Sequence, residues 1–148
     1  MAKSSRHLAR RCAVQALYQW QMTAQPADEI ESSFIKNDKL FDVHLGYFQR
    51  VIKSVPKNID QIDQLIVPHL DREIDKVDFI EQAIMRIAVY EMLFEPDIHA
   101  SVIIDEAVDI AKIYASEHGY KFVNGVLDKL AVDLRGIEVK AVKKNKKS

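Results

Sequence analysis

Apolar residues recur every three or four positions along most of this 148-residue chain, which is the period of an α-helix with one buried face. Seven such stretches are separated by residues that commonly begin or end helices. These residues are Ser4, Ser5, Pro26, Asp42, Pro56, Pro68, Asp78, Pro96, Ser101, Gly119 and Gly136. The chain has only four glycines and four prolines, and no segment has a convincing strand pattern. The pattern therefore predicts an all-α protein of about seven helices.

The fifth predicted helix, which opens at Asp78, has apolar residues on nearly all sides between Ile80 and Leu93. A helix of this kind is buried on most sides, so we expect it at the centre of the core. The last apolar stripe ends at Leu134, and the lysines beyond it cannot build a core. We therefore expect one helical domain at residues 1–136 and a disordered lysine-rich tail at residues 137–148.

The first predicted helix has a basic face that ends in an aromatic residue. This face consists of Lys3, Arg6, His7, Arg10 and Tyr18, with Gln21 on the same arc. The opposite, apolar face consists of Ala9, Cys12, Ala13, Ala16 and Trp20. The first four residues follow the spacing i, i+3, i+4, i+7, so their charges sum on one side and would attract a phosphate backbone. An aromatic residue beside them could stack a base. A merely solvated basic face is the alternative.

Charge is distributed unevenly, although the formal net charge is only −1. Residues 1–22 carry +4, and residues 137–148 also carry +4. Residues 23–136 hold 12 basic and 21 acidic residues, which gives −9. Two basic ends on an acidic body indicate a polyanionic ligand for the ends and allow a basic partner for the body.

The seventh predicted helix carries three further residues of interest. Phe122 follows Lys121 at the boundary of the apolar stripe and is either an edge-of-core side chain or a stacking platform. Gly125 lies in the middle of the helix, where glycine costs about 1 kcal/mol relative to alanine. We therefore expect another backbone to approach Gly125 closely, most simply a packed helix and less simply a ligand.

Catalytic and metal-binding patterns are absent from the sequence. It has no glycine-rich phosphate loop, and its five histidines are scattered over different segments. Cys12 is the only cysteine and falls on the apolar face of the first helix, so no intrachain disulfide can form and a buried thiol is expected. We see neither a signal peptide nor an 18-residue apolar run. We therefore expect a cytoplasmic, non-enzymatic protein without metal, cofactor or membrane span.

Four stretches resemble the bacterial transcription antitermination factor NusB family. They are RRCAVQALYQW at residues 10–20, RIAVYE at 86–91, IDEAV at 104–108 and KFVNGVLDK at 121–129. They occur in the family's order, the resemblance runs from about residue 4 to about residue 135, and the last stretch is the most specific of the four.

The resemblance implies two small helical bundles packed together. It also implies a non-enzymatic factor that binds the boxA element of nascent RNA, notably ribosomal RNA. In the family, the small-subunit ribosomal protein NusE binds alongside, and the complex joins RNA polymerase; some members form homodimers.

By the same resemblance, the family's basic N-terminal segment falls on Lys3, Arg6, His7 and Arg10. Its KFVNG motif makes Lys121 and Phe122 candidates for RNA binding. For the NusE side, the acidic middle of the chain suggests Glu81. The family's N-terminus is often a denser arginine run, so His7 and Leu8 make unaided RNA binding weaker.

Two rival interpretations remain. The same helical domain precedes the catalytic part of certain ribosomal RNA cytosine methyltransferases, but this sequence has neither a nucleotide-binding glycine loop nor a Pro-Cys nucleophile, since Cys12 follows Arg11. The other rival is a protein-only adaptor, whose acidic body binds NusE or another partner while the basic face is only solvated. Salt-dependent RNA binding separates the adaptor from the RNA-binding factor.

Overall fold

The computed structural model of the protein describes residues 5–37 and 44–147, and their side chains except those of residue 137 and residues 139–147. Within these ranges the chain forms seven α-helices and no strand, which confirms the predicted all-α class. The helices are α1 (Ser5–Thr23), α2 (Ala27–Lys36), α3 (Leu45–Lys57), α4 (Ile59–Ile66), α5 (Phe79–Phe94), α6 (Ala100–Tyr114) and α7 (Glu117–Lys147). Short 3₁₀ helices at Val67–His69 and Ile74–Lys76 connect α4 to α5. The chain divides into two compact units, Met1–Ile59 and Asp60–Ser148.

In the first unit, α1, α2 and α3 pack against one another. The predicted apolar face of α1 is largely confirmed, because Ala9, Ala13 and Ala16 are fully buried. Cys12 and Trp20 are only half-buried, so the expectation of a buried Cys12 thiol is wrong. The apolar face of α1 is thus mostly buried, as predicted, and Cys12 and Trp20 are its exceptions.

His44 fixes where α3 begins. Asp42, the predicted N-cap, lies outside the described residues, and α3 instead begins after His44. The Nδ1 atom of His44 accepts a hydrogen bond from the backbone N–H of Tyr47 at 3.0 Å, which satisfies one of the unpaired donors at a helix start. The backbone N–H of His44 also donates to the carbonyl of Ser5 at 3.2 Å. The first turns of α1 and α3 are therefore held together.

In the second unit, α5, α6 and α7 pack against one another. Every residue of α5 from Gln82 to Met92 is buried, which confirms the central position predicted for this helix. Asp78 caps it as predicted, because its carboxylate accepts from the N–H of Ile80 at 2.9 Å. The side-chain amide of Gln82 donates to the carbonyls of Ile74 and Val77, both at 2.9 Å. This polar contact holds the loop before α5 against the helix.

A buried ion pair also joins α4 to α5. The Nε and NH2 atoms of Arg86 each donate to a carboxylate oxygen of Asp63 at 2.9 Å. This two-bonded geometry is the strong form of an arginine–carboxylate contact. The ion pair explains why α5 has a charged residue, Arg86, among its buried apolar ones.

The last helix begins earlier than predicted. Gly119 was expected to precede it, but α7 begins at Glu117, because the hydroxyl of Ser116 accepts from the N–H of Gly119 at 3.0 Å and caps the first turn. The described backbone of α7 has a break at Arg135 and runs on to Lys147, and the disordered tail at residues 137–148 stays a prediction. Just after the break, the Glu138 carboxylate accepts from Arg135 at 2.7 Å and from the N–H of Ala100 at 2.9 Å.

Candidate nucleic-acid interface

The predicted basic face of α1 is only partly a surface. Arg6 is half-buried, whereas His7 and Arg10 are 2% and 4% exposed. Lys3 lies outside the described residues. The prediction of a solvent-exposed stripe is therefore wrong for His7 and Arg10. The physical reason is that α3 packs against α1 and covers this side, which a wheel of one helix cannot show.

Tyr47 of α3 is the residue that organises these arginines. The guanidinium carbons of Arg6 and Arg10 lie 5.9 Å and 5.4 Å from the centroid of the Tyr47 ring. Both distances allow a cation–π attraction, which strengthens where water is excluded. Two guanidinium groups thus lie against one ring at the start of the first unit. Within the described part of the chain, the buried Nε of Arg6 has no hydrogen-bond acceptor.

Tyr18 lies farther along the same helix and is 38% exposed. Twelve residues separate it from Arg6, which corresponds to about 18 Å along an α-helix. It can therefore contact a ligand that runs along α1, but it does not form one cluster with the arginines.

In the second unit, Lys121 and Phe122 lie near the start of α7. The exposed Lys121 ammonium forms an ion pair with Glu117 at 3.0 Å. A pair this open to solvent contributes little to stability, so a phosphate could take the place of the carboxylate. Phe122 is half-buried, which leaves both the edge-of-core and the stacking interpretations open.

Arg72 is a residue of this region that the sequence analysis missed. Its guanidinium carbon lies 4.7 Å from the centroid of the Phe122 ring. The two residues are distant in sequence, and Arg72 lies in a loop between the two 3₁₀ helices. No local motif or helical spacing could have predicted this contact.

Gly125 has a different environment from the one predicted. A Cβ atom built at Gly125 would meet no other atom within 4 Å among the described residues, so no packed helix approaches it there. The residue is exposed and its φ is not positive. Neither packing nor backbone conformation within the described structure therefore requires glycine, and of the two interpretations the close approach of a ligand remains.

Replacing Gly125 with alanine is expected to raise the free energy of unfolding by about 0.5–1 kcal/mol, because alanine is favoured inside helices and has room here. Chemical denaturation measures the change. Gly46→Ala in α3 is the matched control, since its Cβ would also meet only ordinary contacts. A destabilised Gly125→Ala protein would contradict the open surroundings of this glycine.

Glu81, the candidate for partner binding, lies in the first turn of α5 and is half-buried. Its Oε2 lies 2.7 Å from the position of a Cβ at Gly119, so that glycine permits the close approach. Burial raises the pKa of Glu81, and Asp78 adds to the rise while Arg72 and His118 oppose it. The charged carboxylate is thus poorly solvated and would be stabilised by a cationic partner.

The described residues hold no group of three or more His, Cys, Asp or Glu side chains that could bind a metal ion. No helix among them is both long and apolar enough to cross a bilayer. Each unit carries its own set of basic and aromatic side chains: Arg6, Arg10, Tyr18 and Tyr47 in the first, and Arg72, Lys121 and Phe122 in the second.

The structure thus defines the class of protein: an all-helical chain of two units, each of which carries basic and aromatic side chains. The model of the NusB family matches residues 7–132. The chain belongs to the NusB family. The transcription antitermination protein NusB of Pasteurella multocida (strain Pm70) is 45% identical over 128 residues, which cover 86% of this chain and 89% of that protein. The protein of the same name from Pseudomonas fluorescens is 43% identical over 141 residues, covering 95% and 85%.

Solved structures with the same fold agree with this assignment. A crystal structure of the antitermination factors NusB and NusE in complex with double-stranded RNA matches with a TM-score of 0.78 and 28% identity, covering 85% of this chain and 95% of that one. A structure of T. maritima NusB matches with a TM-score of 0.76 and 28% identity, covering 95% and 99%.

Proposed function

We propose that this protein is a non-enzymatic transcription antitermination factor that binds the boxA element of nascent RNA, notably ribosomal RNA. It acts in the cytoplasm together with NusE, and the complex joins RNA polymerase. The observation that carries the proposal is the structural match to a NusB protein that was crystallised with both NusE and RNA. A homodimer stays a prediction, to be checked by sedimentation.

The geometry of the first unit supports an RNA ligand. Arg6 and Arg10 are held together over the Tyr47 ring, so their side chains have little freedom left to lose when a phosphate binds. Arginine donors suit phosphate oxygens because the planar fork can donate two hydrogen bonds at once. Of the two, the half-buried Arg6 is the more accessible to RNA.

The second unit supports the same ligand through α7. Lys121 supplies an exposed charge, and Phe122 supplies a half-buried ring. The flank of the helix has space at Gly125, because a Cβ there would lie more than 4 Å from the side chains of other segments in the described structure. An aromatic ring beside a lysine is a common arrangement for stacking an unpaired base.

The surroundings of Glu81 support a basic protein partner such as NusE. Its carboxylate has a raised pKa because it is partly buried, so neutralisation by a lysine or arginine of the partner would recover part of the cost of desolvation. We propose Glu81 as one contact on that side.

The adaptor interpretation gains support from one observation. Because His7 and Arg10 are buried, fewer charges of α1 are available to RNA than the sequence predicted. A protein-only adaptor would bind NusE, and it would bind RNA only weakly and without preference for boxA. The same titration separates the two functions.

The test is a titration of fluorescently labelled boxA RNA with the purified protein, with and without NusE. We expect specific binding relative to a scrambled RNA, and tighter binding when NusE is present. Phe122→Ala should reduce RNA affinity by about 1–3 kcal/mol, the usual contribution of one stacked base.

Melting temperature distinguishes a lost contact from a damaged core. If Phe122 serves the core, Phe122→Ala will mainly lower the melting temperature. Val132→Ala is the matched control, because Val132 is an exposed apolar residue on the same helix. Equal affinity for boxA and scrambled RNA, both with and without NusE, would contradict the proposed function.

A further inference from the structure

The ring of Phe122 lies beside the side chain of Arg72. The guanidinium carbon of Arg72 lies 4.7 Å from the ring centroid, within the range of a cation–π contact. Both residues belong to the second unit, and the Arg72 side chain remains 36% exposed. A ligand that approaches this part of α7 can therefore reach the guanidinium as well as the ring.

Asp71 restrains that guanidinium. The Nε atom of Arg72 donates to Oδ1 of Asp71 at 2.7 Å, and its NH2 donates to Oδ2 at 3.1 Å. The hydrogen bond from Arg72 lowers the pKa of the Asp71 carboxyl, so the carboxylate is charged at neutral pH. Two bonds from one planar group to one carboxylate fix the orientation of the plane.

The arrangement has a further negative group at longer range. Glu81 acts on Arg72 electrostatically and raises the pKa of its guanidinium, as Asp71 does more strongly through its hydrogen bonds. Arg72 is therefore charged, oriented and seated beside an aromatic ring. An arginine plane offers a nucleobase the same kind of flat surface as an aromatic ring does.

We propose that Arg72 and Phe122 form one stacking platform, in which an unpaired RNA base lies against the accessible side of the Arg72 guanidinium. Arg72 is then an RNA-contacting residue, and Asp71 positions it. This inference rests on the proposed RNA-binding function and extends it to a residue outside the KFVNG motif.

The experiment uses boxA RNA that carries the fluorescent base 2-aminopurine at one unpaired position at a time. Its fluorescence falls when the base stacks, so the platform should quench one position on binding to the full-length protein. Arg72→Lys keeps the positive charge but removes the planar group. At saturating protein, we expect Arg72→Lys to lose the quenching at that position.

Affinity gives a second readout. Stacking of one base corresponds to a factor of about 5 or more in affinity, so Arg72→Lys and Arg72→Gln should both bind at least about fivefold more weakly. Arg72→Lys should retain the salt dependence of wild type. The double variant Arg72→Lys/Phe122→Ala should bind about as weakly as Phe122→Ala alone, because both residues serve the same base.

Lys76→Gln is the control for charge, since Lys76 is an exposed cation of the same loop region. We expect it to leave the quenching unchanged. If Arg72→Lys matches wild type in both quenching and affinity, Arg72 acts as a point charge and the platform is wrong. Wild-type affinity of Arg72→Gln would also overturn it. If wild type itself binds no RNA, the failure belongs to the proposed function.

Discussion

Replacing Arg135 with methionine is expected to lower the free energy of unfolding by about 3 kcal/mol, the typical cost of removing one partner of a buried charged network. Arg135 is 11% exposed, and its guanidinium makes five hydrogen bonds. One goes to the Glu138 carboxylate at 2.7 Å. The other four acceptors are backbone carbonyls, those of Glu91, Met92, Glu95 and Ile98.

The position of these carbonyls explains the size of the effect. Met92 lies in the last turn of α5, where carbonyls commonly lack a partner within the helix, and Ile98 lies just after it. A cation there also interacts favourably with the helix dipole. Methionine fills a similar volume but removes the arginine donors from the carbonyls of Met92 and Ile98, whereas the carbonyls of Glu91 and Glu95 keep their bonds from the N–H groups of Glu95 and Ile98. Each unsatisfied group costs about 1–3 kcal/mol, which water entering the site would partly relieve.

Urea denaturation followed by circular dichroism measures the change. Lys129→Met is the matched control, because Lys129 is exposed on the same helix and should change stability by less than about 0.5 kcal/mol. If Arg135→Met is as stable as this control, the network does not stabilise the end of α5.

The same network gives the stability a dependence on pH. Burial tends to raise the pKa of Glu138, but the N–H of Ala100 and the Arg135 guanidinium outweigh it and hold the pKa below its ordinary value. This contribution is therefore present above the ordinary pKa of a glutamate and is lost as the pH falls through the lowered value. Arg135→Met should show a weaker loss of stability on acidification than wild type.

Helices could be predicted from the sequence because an apolar stripe and its flanking caps are local features. Asp78 and the buried stripe behind it follow from one stretch of chain, and the central position of α5 follows from its apolar residues on all sides. Contacts between helices have no such local signal: the bond from the N–H of Ala100 in α6 to the Glu138 carboxylate in α7 could not be predicted from either stretch.

The candidate site was less predictable because it depends on contacts between segments. A helical wheel assigns directions on α1, but only the tertiary structure shows that Tyr47 of α3 lies beside Arg10. For the same reason, the pairing of Arg72 with Phe122 could not be predicted. The interpretation of Gly125 as a packing residue was wrong, because that too depends on which segments approach the helix.

Raising the salt concentration from 50 to 200 mM is expected to weaken RNA binding by about 50-fold, if about four phosphates are neutralised and the single-strand slope is about −0.7 per phosphate. Arg6, Arg72 and Lys121 are the accessible basic candidates in the described structure. Lys3, which lies outside it, is a fourth. Binding isotherms at four salt concentrations give the slope directly.

Arg6→Gln tests whether this slope originates in α1. It should reduce the slope by about 0.7, the contribution of one phosphate contact. Arg6 is preferred to Arg10 because Arg10 is 4% exposed, so its replacement would disturb packing as well as charge. Lys36→Gln, at the exposed end of α2, should leave the slope unchanged.

The dependence of RNA affinity on salt concentration separates an antitermination factor from a protein-only adaptor more sharply than a single affinity does. A protein-only adaptor would bind RNA weakly and without preference, and Arg6→Gln would behave like Lys36→Gln. In an antitermination factor whose α1 binds phosphates, Arg6→Gln would remove one contact and leave the preference for boxA unchanged. Because stacking at Phe122 is less sensitive to salt than the phosphate contacts are, Phe122→Ala should lower affinity at every salt concentration without changing the slope.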